Sequence, residues 1–551
     1  MSSSIGSRRF LQAPVLPRAS IRRLAIFTQG RRIPEEELFR YNNGRFLVNE
    51  EYELAKRYSS FDVKELCKRV SSLPDVNSPI VTITKKEGGY NKALLMKAEN
   101  GATVLAKIPC RNIVPPQYGT ASEVAVLKLV KTRSRIPVCG VLAWDADPSN
   151  PVKSEYIIYE KSGGQQLTDV WNNVKESDRV ILIRSFAKFA SKLANIDFPG
   201  YGSLYLRDGL PSALRQSGRT IDVDETYCLG PVYHGSWPGG FAADPEEYAR
   251  YSGPWRSLSD LGAALVEQGL FQVKSFKTSH SGRGPHYGTP QEHIDILQTA
   301  KRAISVLANS PPLLRHAHPI LCHPDFHPGN VFVSEDDPTQ IVNVIDWQFT
   351  NIMPRFTQVR WPLFLAPPEG YRTGMSSPEL PPQYPENDSE EHTVDSKKQA
   401  EALRTKCYEA ALVKTHLESY LALTETDVSI RQLFTSCSST YREGIIPLRD
   451  SLIKIFQNWS RLGLPGSCPY SFTDEEISQH KTQIEEYREW LKLREYTHEL
   501  LRSNDGGWVP PQVNFEEAQA KHRKLYRNFL HTKRDKTEEE AKKLWFFRDR
   551  G

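Results

Sequence analysis

The sequence predicts an α+β chain in two lobes, a small antiparallel sheet with one helix followed by a larger, mainly helical part. Three observations carry this. β-rich runs joined by short turns crowd residues 79–160. Helical patterns dominate beyond residue 161, as at 178–194, 397–423 and 474–501. A hairpin flanked by acids, 325–346, interrupts the helical part. The 551 residues leave room for both lobes and for additions at each end.

The hairpin is the most informative stretch. Val331-Phe332-Val333 and Ile341-Val342-Asn343-Val344-Ile345 are β-rich, and Ser334-Glu335-Asp336-Asp337-Pro338-Thr339 between them is a turn by composition. Asn330 stands at its entrance and Asp346 at its exit, so both emerge at one end. Asp325, in His323-Pro324-Asp325-Phe326-His327-Pro328-Gly329-Asn330, lies on the preceding loop. Phosphoryl transfer from a magnesium nucleotide needs such a set. One carboxylate accepts a hydroxyl proton, while an amide oxygen and a second carboxylate hold a metal that prefers oxygen.

Upstream, Val81-Thr82-Ile83 leads into Gly88-Gly89-Tyr90-Asn91, then Ala93-Leu94-Leu95-Met96-Lys97, the turn Asn100-Gly101 and the strand 103–108. Strand, glycine turn, strand, tight hairpin, strand is the reading. Gly88 and Gly89 would let backbone amides approach phosphate oxygens, with Asn91 beside them. Lys107 interrupts an apolar strand and needs a partner. Glu123 lies on a helical pattern with Leu127 and Val130 four and seven residues on, so it points along the apolar stripe. The two are read as a pair. Glu155–Glu160 reads as the last strand of the small lobe, running into a hinge. Backbone groups of Glu160 and Lys161 would meet an adenine edge there, with Tyr159 alongside.

These segments together resemble the protein-kinase-like superfamily, and more closely its small-molecule branch, the aminoglycoside phosphotransferase family. Protein kinases carry other residues where this chain has Pro324, His327 and Asp346-Trp347-Gln348, and the Gly-x-Gly-x-x-Gly loop is absent. The resemblance spans roughly Tyr90 to Pro362 and implies a bilobal kinase-like fold with ATP and magnesium as cofactors. By that likeness Lys107, positioned by Glu123, holds the α- and β-phosphates. Asn330 and Asp346 hold magnesium, and Asp325 orients and deprotonates the acceptor hydroxyl. His327 stands where protein kinases place a phosphate-contacting lysine; neutralising the transferred group and supporting the loop are both open to it. His323 is read as a packing residue. Leu38-Phe39-Arg40-Tyr41, Gly44-Arg45-Phe46, Gly88-Gly89-Tyr90-Asn91-Lys92, Ala106-Lys107-Ile108-Pro109 and Gly253-Pro254-Trp255 are similar to a fungal mitochondrial group of phosphotransferase-like proteins. That group implies a mitochondrial role and supplies no substrate.

Residues 1–34 hold seven arginines, five serines and no Asp, Glu or Lys, with Arg18 and Arg22 on one helical face and Ile21, Leu24 and Ala25 on another. That is the composition of a mitochondrial transit peptide, read by the import machinery and leading to the matrix. The whole chain has 71 basic and 66 acidic residues; without the seven arginines the balance is 64 to 66. No concentrated basic face offers itself to nucleic acid. No run approaches about 18 apolar residues, so no transmembrane segment is expected. The eight cysteines show no Cys-x-x-Cys spacing and are read as reduced thiols.

The predicted organisation is a transit peptide over 1–34, a helical N-terminal extension over 35–78 and the small, nucleotide-binding lobe over 79–160. A catalytic lobe follows over 161–472, with polar insertions near 197–253 and 367–396, then a helical C-terminal extension over 473–551. The partners expected are ATP and an unidentified small-molecule acceptor. Two other classes stay open. One is a nucleotide-binding pseudokinase serving mitochondrial maintenance or assembly. The other is a metal-dependent hydrolase built on Cys322, His323, Asp325 and His327, against which Pro324 and Pro328 argue by breaking helical spacing.

Overall fold

In a computed structural model, the protein is described over residues 24–113, 115–233, 251–275, 283–374, 390–534 and 536–547. The first 23 residues of the expected leader, residues 375–389 of the 367–396 insertion and the Gly235–Gly240 stretch fall outside these.

The small lobe is built on a seven-stranded sheet. Its strands are β1 (Ala25–Thr28), β2 (Arg31–Arg32), β4 (Ile80–Glu87), β5 (Asn91–Ala98), β6 (Thr103–Pro109), β7 (Val141–Asp145) and β8 (Tyr156–Glu160), with β3 (Arg45–Phe46) lying elsewhere. The order is β2-β1-β4-β5-β6-β8-β7. From β4 to β7 every neighbouring pair is antiparallel, as expected. The β1–β4 pair is parallel, with Ile26 opposite Ile83. Residues 24–34 fall within the span read as leader, and there Ile26 and Ile33 are buried in the lobe core.

Strand alternation sorts the two faces. Val104, Ala106 and Ile108 join Ile83, Leu94, Met96 and Ile158 in a core covered by the extension helix α2 (Val63–Ser71; α1 is Glu50–Arg57), through Leu66 and Val70. Asp62 caps α2 by accepting from Glu65 N–H, satisfying one of its free amides. Leu105, Lys107, Ile157 and Tyr159 face the other way, toward helix α3 (Tyr118–Leu129), whose Val124, Leu127 and neighbours are buried. This parity sends Lys107 to the helix and the cleft.

In the large lobe the helix Glu176–Ala194 runs under the hairpin. Its Phe186 ring lies 4.5 Å from that of Phe326. A three-stranded sheet orders β10 (Ser203–Leu206), β12 (Tyr227–Gly230) and β11 (Ile221–Asp222). The hairpin strands β14 (Val331–Val333) and β15 (Ile341–Val344) are joined by β9 (Gln165–Gln166), while β13 (Pro319–Leu321) pairs β16 (Ile352–Pro354). The helices Leu258–Ser275, Pro290–Leu307 and Ile446–Gln457 form a second core. The C-terminal extension adds Asp474–Leu501 and Phe515–Thr532, with Trp545-Phe546-Phe547 buried against Trp490 and Phe529. Its strand β17 (Trp508–Val509) pairs β3, tying the two ends of the chain together. No helix among the described residues is long and apolar enough to cross a membrane.

Candidate active site

Lys107 Nζ lies 2.8 Å from both carboxylate oxygens of Glu123. Both side chains are almost excluded from solvent, 11% and 5% exposed, so each is the partner the other requires. Tyr159 O–H donates to Glu123 Oε1 at 2.9 Å. Burial first, then the Glu123 charge, raises the Tyr159 phenol well above its ordinary range, so it stays a donor. The sequence places this ring beside an adenine slot; in the structure its hydroxyl braces the ion pair. A tyrosine two residues after Ile157, on the parity of Lys107, is the signal that points to it.

The hairpin brings its two polar groups together. Ile345 N–H donates to Asn330 O at 2.9 Å, closing the open end of β14–β15. Asn330 Nδ2 donates to Asp325 O at 2.9 Å, which occupies the amide nitrogen and leaves the carbonyl oxygen as the side chain's acceptor. Asp346 takes up φ +63°, a left-handed conformation that costs a non-glycine residue energy and is found at functional positions. Its carboxylate is half exposed and comes to 3.8 Å from Lys107 Nζ. The donor set of Asn330 and Asp346 is all oxygen, which fits magnesium.

Asp325 has a side chain 70% exposed, reachable by a substrate, and His327 Nε2 stands 3.3 Å from its Oδ2. Gly329 N–H donates to His327 Nδ1, so the ring is fixed with its other nitrogen toward Asp325. Of the two roles open to His327, this geometry matches support of the loop and its acid. His323 holds the same loop from below. Its Nε2 donates to Ile345 O at 2.8 Å and its Nδ1 accepts from Asp325 N–H. Burial depresses its pKa to about 4, keeping it neutral. Trp347, fully buried, packs on its ring at 4.6 Å.

The glycine turn is tighter than a phosphate-wrapping loop. Gly88 N–H donates to Asn91 O, so Gly89 and Tyr90 alone form the tip. The Asn91 amide, expected to meet a nucleotide, donates to Gln348 Oε1 at 2.9 Å, and Tyr90 meets Phe349 edge-on at 5.1 Å. These contacts close the tip onto the segment after Asp346. Gln348 and Phe349 carry no signal in the sequence, because nothing local marks residues whose partners lie more than 250 positions away, 257 for Asn91 and Gln348. At the expected hinge, Glu160 N–H donates to Gly140 O while its carboxylate accepts from Gly140 N–H. Any adenine contact by Glu160 or Lys161 falls to their other backbone groups.

Below the Asp325 loop lies a cavity of about 600 Å³, bordered by Asp325, Phe326, His327, Phe349, Arg360 and Trp361. Its size suits a small molecule. The hydrolase ligand set does not assemble: burial pushes the Cys322 thiol up to about 12, and both His323 nitrogens are occupied. Among the described residues no group of three or more His, Cys, Asp or Glu is disposed to hold a metal.

Comparison with known proteins adds to this geometry. Residues 276–359 match the phosphotransferase enzyme family. The chain is 26% identical over 481 residues to the Subtelomeric hrmA-associated cluster protein of Aspergillus fumigatus, covering 80% of this chain and 91% of that one. It is 22% identical over 527 residues to Altered inheritance of mitochondria protein 9, mitochondrial, of Yarrowia lipolytica, covering 88% and 86%. A solved streptomycin–ATP–APH(2")-IIa ternary complex aligns with 71% of this chain and 96% of that one, at 12% identity and a TM-score of 0.34. Residues 276–359 are thus similar to the phosphotransferase enzyme family, and the chain is similar along most of its length to the fungal proteins named Altered inheritance of mitochondria protein 9.

Proposed function

We propose that the protein transfers the γ-phosphoryl group of ATP to a hydroxyl of a small-molecule acceptor. The observation that carries this is the convergence of Lys107, Glu123 and Asp346 at one cleft beside the Asp325 loop. Lys107, fixed by Glu123 and Tyr159, holds the nucleotide phosphates. Asp325 orients and deprotonates an acceptor lying in the adjoining cavity, acting as the general base for its hydroxyl. His327 keeps that carboxylate turned toward the cleft. Asn330 and Asp346 would hold magnesium, which neutralises phosphate charge when bound. Relatives named as mitochondrial support a mitochondrial location, and the acid-free, arginine-rich first residues favour the matrix within it.

The test is a labelled-ATP transfer assay on a mitochondrial metabolite extract, comparing the wild type with Asp325→Asn. A labelled product made by the wild type alone supports the reading and begins to identify the acceptor. A second reading, a nucleotide binder without transfer, is favoured by the two-residue tip at Gly89-Tyr90, which offers few amides to a phosphate. ATP binding with no labelled product would select it.

A further inference from the structure

The glycine turn is held from behind by a part of the chain far from the cleft. Glu87, the residue before Gly88, has a side chain 4% exposed and pairs with Lys92 at 2.7 Å and Lys85 at 3.2 Å. Both lysines are buried and also donate to backbone carbonyls of the N-terminal extension. Lys85 reaches Glu37 O at 3.0 Å, and Lys92 reaches Arg57 O at 3.1 Å. Asn42 N–H donates to Glu87 Oε2 at 2.8 Å, and Asn43 Nδ2 donates to Glu87 O at 2.6 Å. The base of the turn is thus enclosed by the loop 37–43, with one carboxylate shared by two ammoniums whose other N–H groups go to carbonyls.

That loop is itself held by the C-terminal extension. Trp508 Nε1–H donates to Asn43 O at 2.8 Å, and β17 pairs Trp508 with Phe46. Leu47 N–H donates to Gly507 O at 2.8 Å. At Gly44, φ is +107° and an added Cβ would stand 2.4 Å from Trp508 Nε1 and from Val509 O. The C-terminal strand therefore lies flush on the loop. Its other end is anchored in the large lobe, where Ile446 shares a core with Trp490, Val509 and Phe515.

We propose that the C-terminal extension is a positioning element for the nucleotide-binding turn, acting from Trp508 through Asn43 onto Glu87 and Gly88-Gly89. Trp508 and Asn43 are positioning residues: neither faces the cleft ion pair, and each acts through the next. The extension bridges the large lobe and the back of the small-lobe turn, so it fixes the turn's height over the cleft. This rests on the reading that Gly88-Gly89 meets the nucleotide.

The test uses the full chain with Trp508→Phe, which removes the indole N–H and keeps a ring, and Asn43→Ala, which removes the bond to Glu87 O. Hydrogen exchange over residues 85–92, the affinity for magnesium–ATP and the melting temperature are measured on each. Phe546→Leu, which loosens the same extension away from Trp508, is the control. Both relay variants should speed exchange at the turn and weaken magnesium–ATP about three- to tenfold, as expected for loss of one buried hydrogen bond. The control should lower the melting temperature with affinity and turn exchange unchanged. Wild-type exchange at the turn in both relay variants would overturn the proposal, as would affinity that simply follows melting temperature across all three. If the wild type binds no magnesium–ATP, the nucleotide reading fails, and the exchange measurement alone decides whether Trp508 holds the turn.

Discussion

Lys107 Nζ lies 3.8 Å from Asp346 Oδ1, so a strand of the small lobe and the hairpin exit of the large lobe meet at one point. Because Glu123 is buried on the far side of the same ammonium, Lys107 has two tasks that substitution separates. Lys107→Met should abolish transfer and also leave Glu123 as a buried charge braced by Tyr159 alone. The stability cost should be about 3 kcal/mol, the lower part of the range for breaking a buried pair. Adding Glu123→Leu should restore most of that stability and none of the activity. Urea unfolding of the single and double variants checks this; a Lys107→Met protein as stable as the wild type would count against the pair.

Asp325 presents the opposite case, a side chain open to solvent whose backbone does the structural work. Its N–H donates to His323 and its O accepts from Asn330, and neither bond needs the carboxylate. Asp325→Asn should keep stability within about 0.5 kcal/mol and keep ATP affinity, while turnover falls about 10²- to 10⁴-fold. Turnover and nucleotide titration on the same preparation are the measurements. Retained turnover would remove Asp325 from the reaction.

What the sequence makes legible is local or strictly periodic. Asn330 and Asp346 bracket one short hairpin, and Lys107 and Glu123 each break an apolar pattern with a charge that must find company. The parts it conceals depend on which distant segment pairs with which. Strand β1 reads as leader because Arg31 and Arg32 beside it share the leader's composition, and a parallel partner in β4 leaves no turn signal between them. Tyr159, Gln348 and Trp508 have roles set by their partners Glu123, Asn91 and Asn43. A lone tyrosine, glutamine or tryptophan in the chain does not name its partner.

His323 gives the site a defined acid limit. The neutral ring donates from Nε2 and accepts at Nδ1; protonation turns Nδ1 into a donor facing the Asp325 N–H. Its folded pKa of about 4 lies below the ordinary 6.5, so between these values the unfolded chain binds the extra proton. The stability contributed by neutral His323 is complete above pH 6.5 and is lost as pH falls toward 4. The loss is about 3 kcal/mol at most. Buried His293, also depressed to about 4, adds to the same slope. Unfolding free energies of the wild type and His323→Gln between pH 4 and 7 should converge toward the acid end. Parallel curves would show that His323 does not titrate as described.

Two glycines on the same structural path should respond oppositely to alanine. At Gly89 nothing lies within 4 Å of an added Cβ, and φ is not left-handed, so the chain itself sets no demand for glycine there. Gly89→Ala should leave the melting temperature unchanged or slightly raised, since alanine restricts the unfolded chain. A methyl at the tip would nonetheless hold phosphate oxygens away from the backbone, weakening magnesium–ATP about tenfold, or about 1.4 kcal/mol. At Gly44 the constraint is internal, with φ +107° and Trp508 Nε1 and Val509 O both 2.4 Å from the added carbon. Gly44→Ala should cost about 1–3 kcal/mol through backbone strain, and more as β17 is pushed off β3. Thermal unfolding and nucleotide titration on both variants separate the two demands. Unchanged magnesium–ATP affinity in Gly89→Ala would mean that phosphates do not approach this turn, and that Lys107 alone holds them.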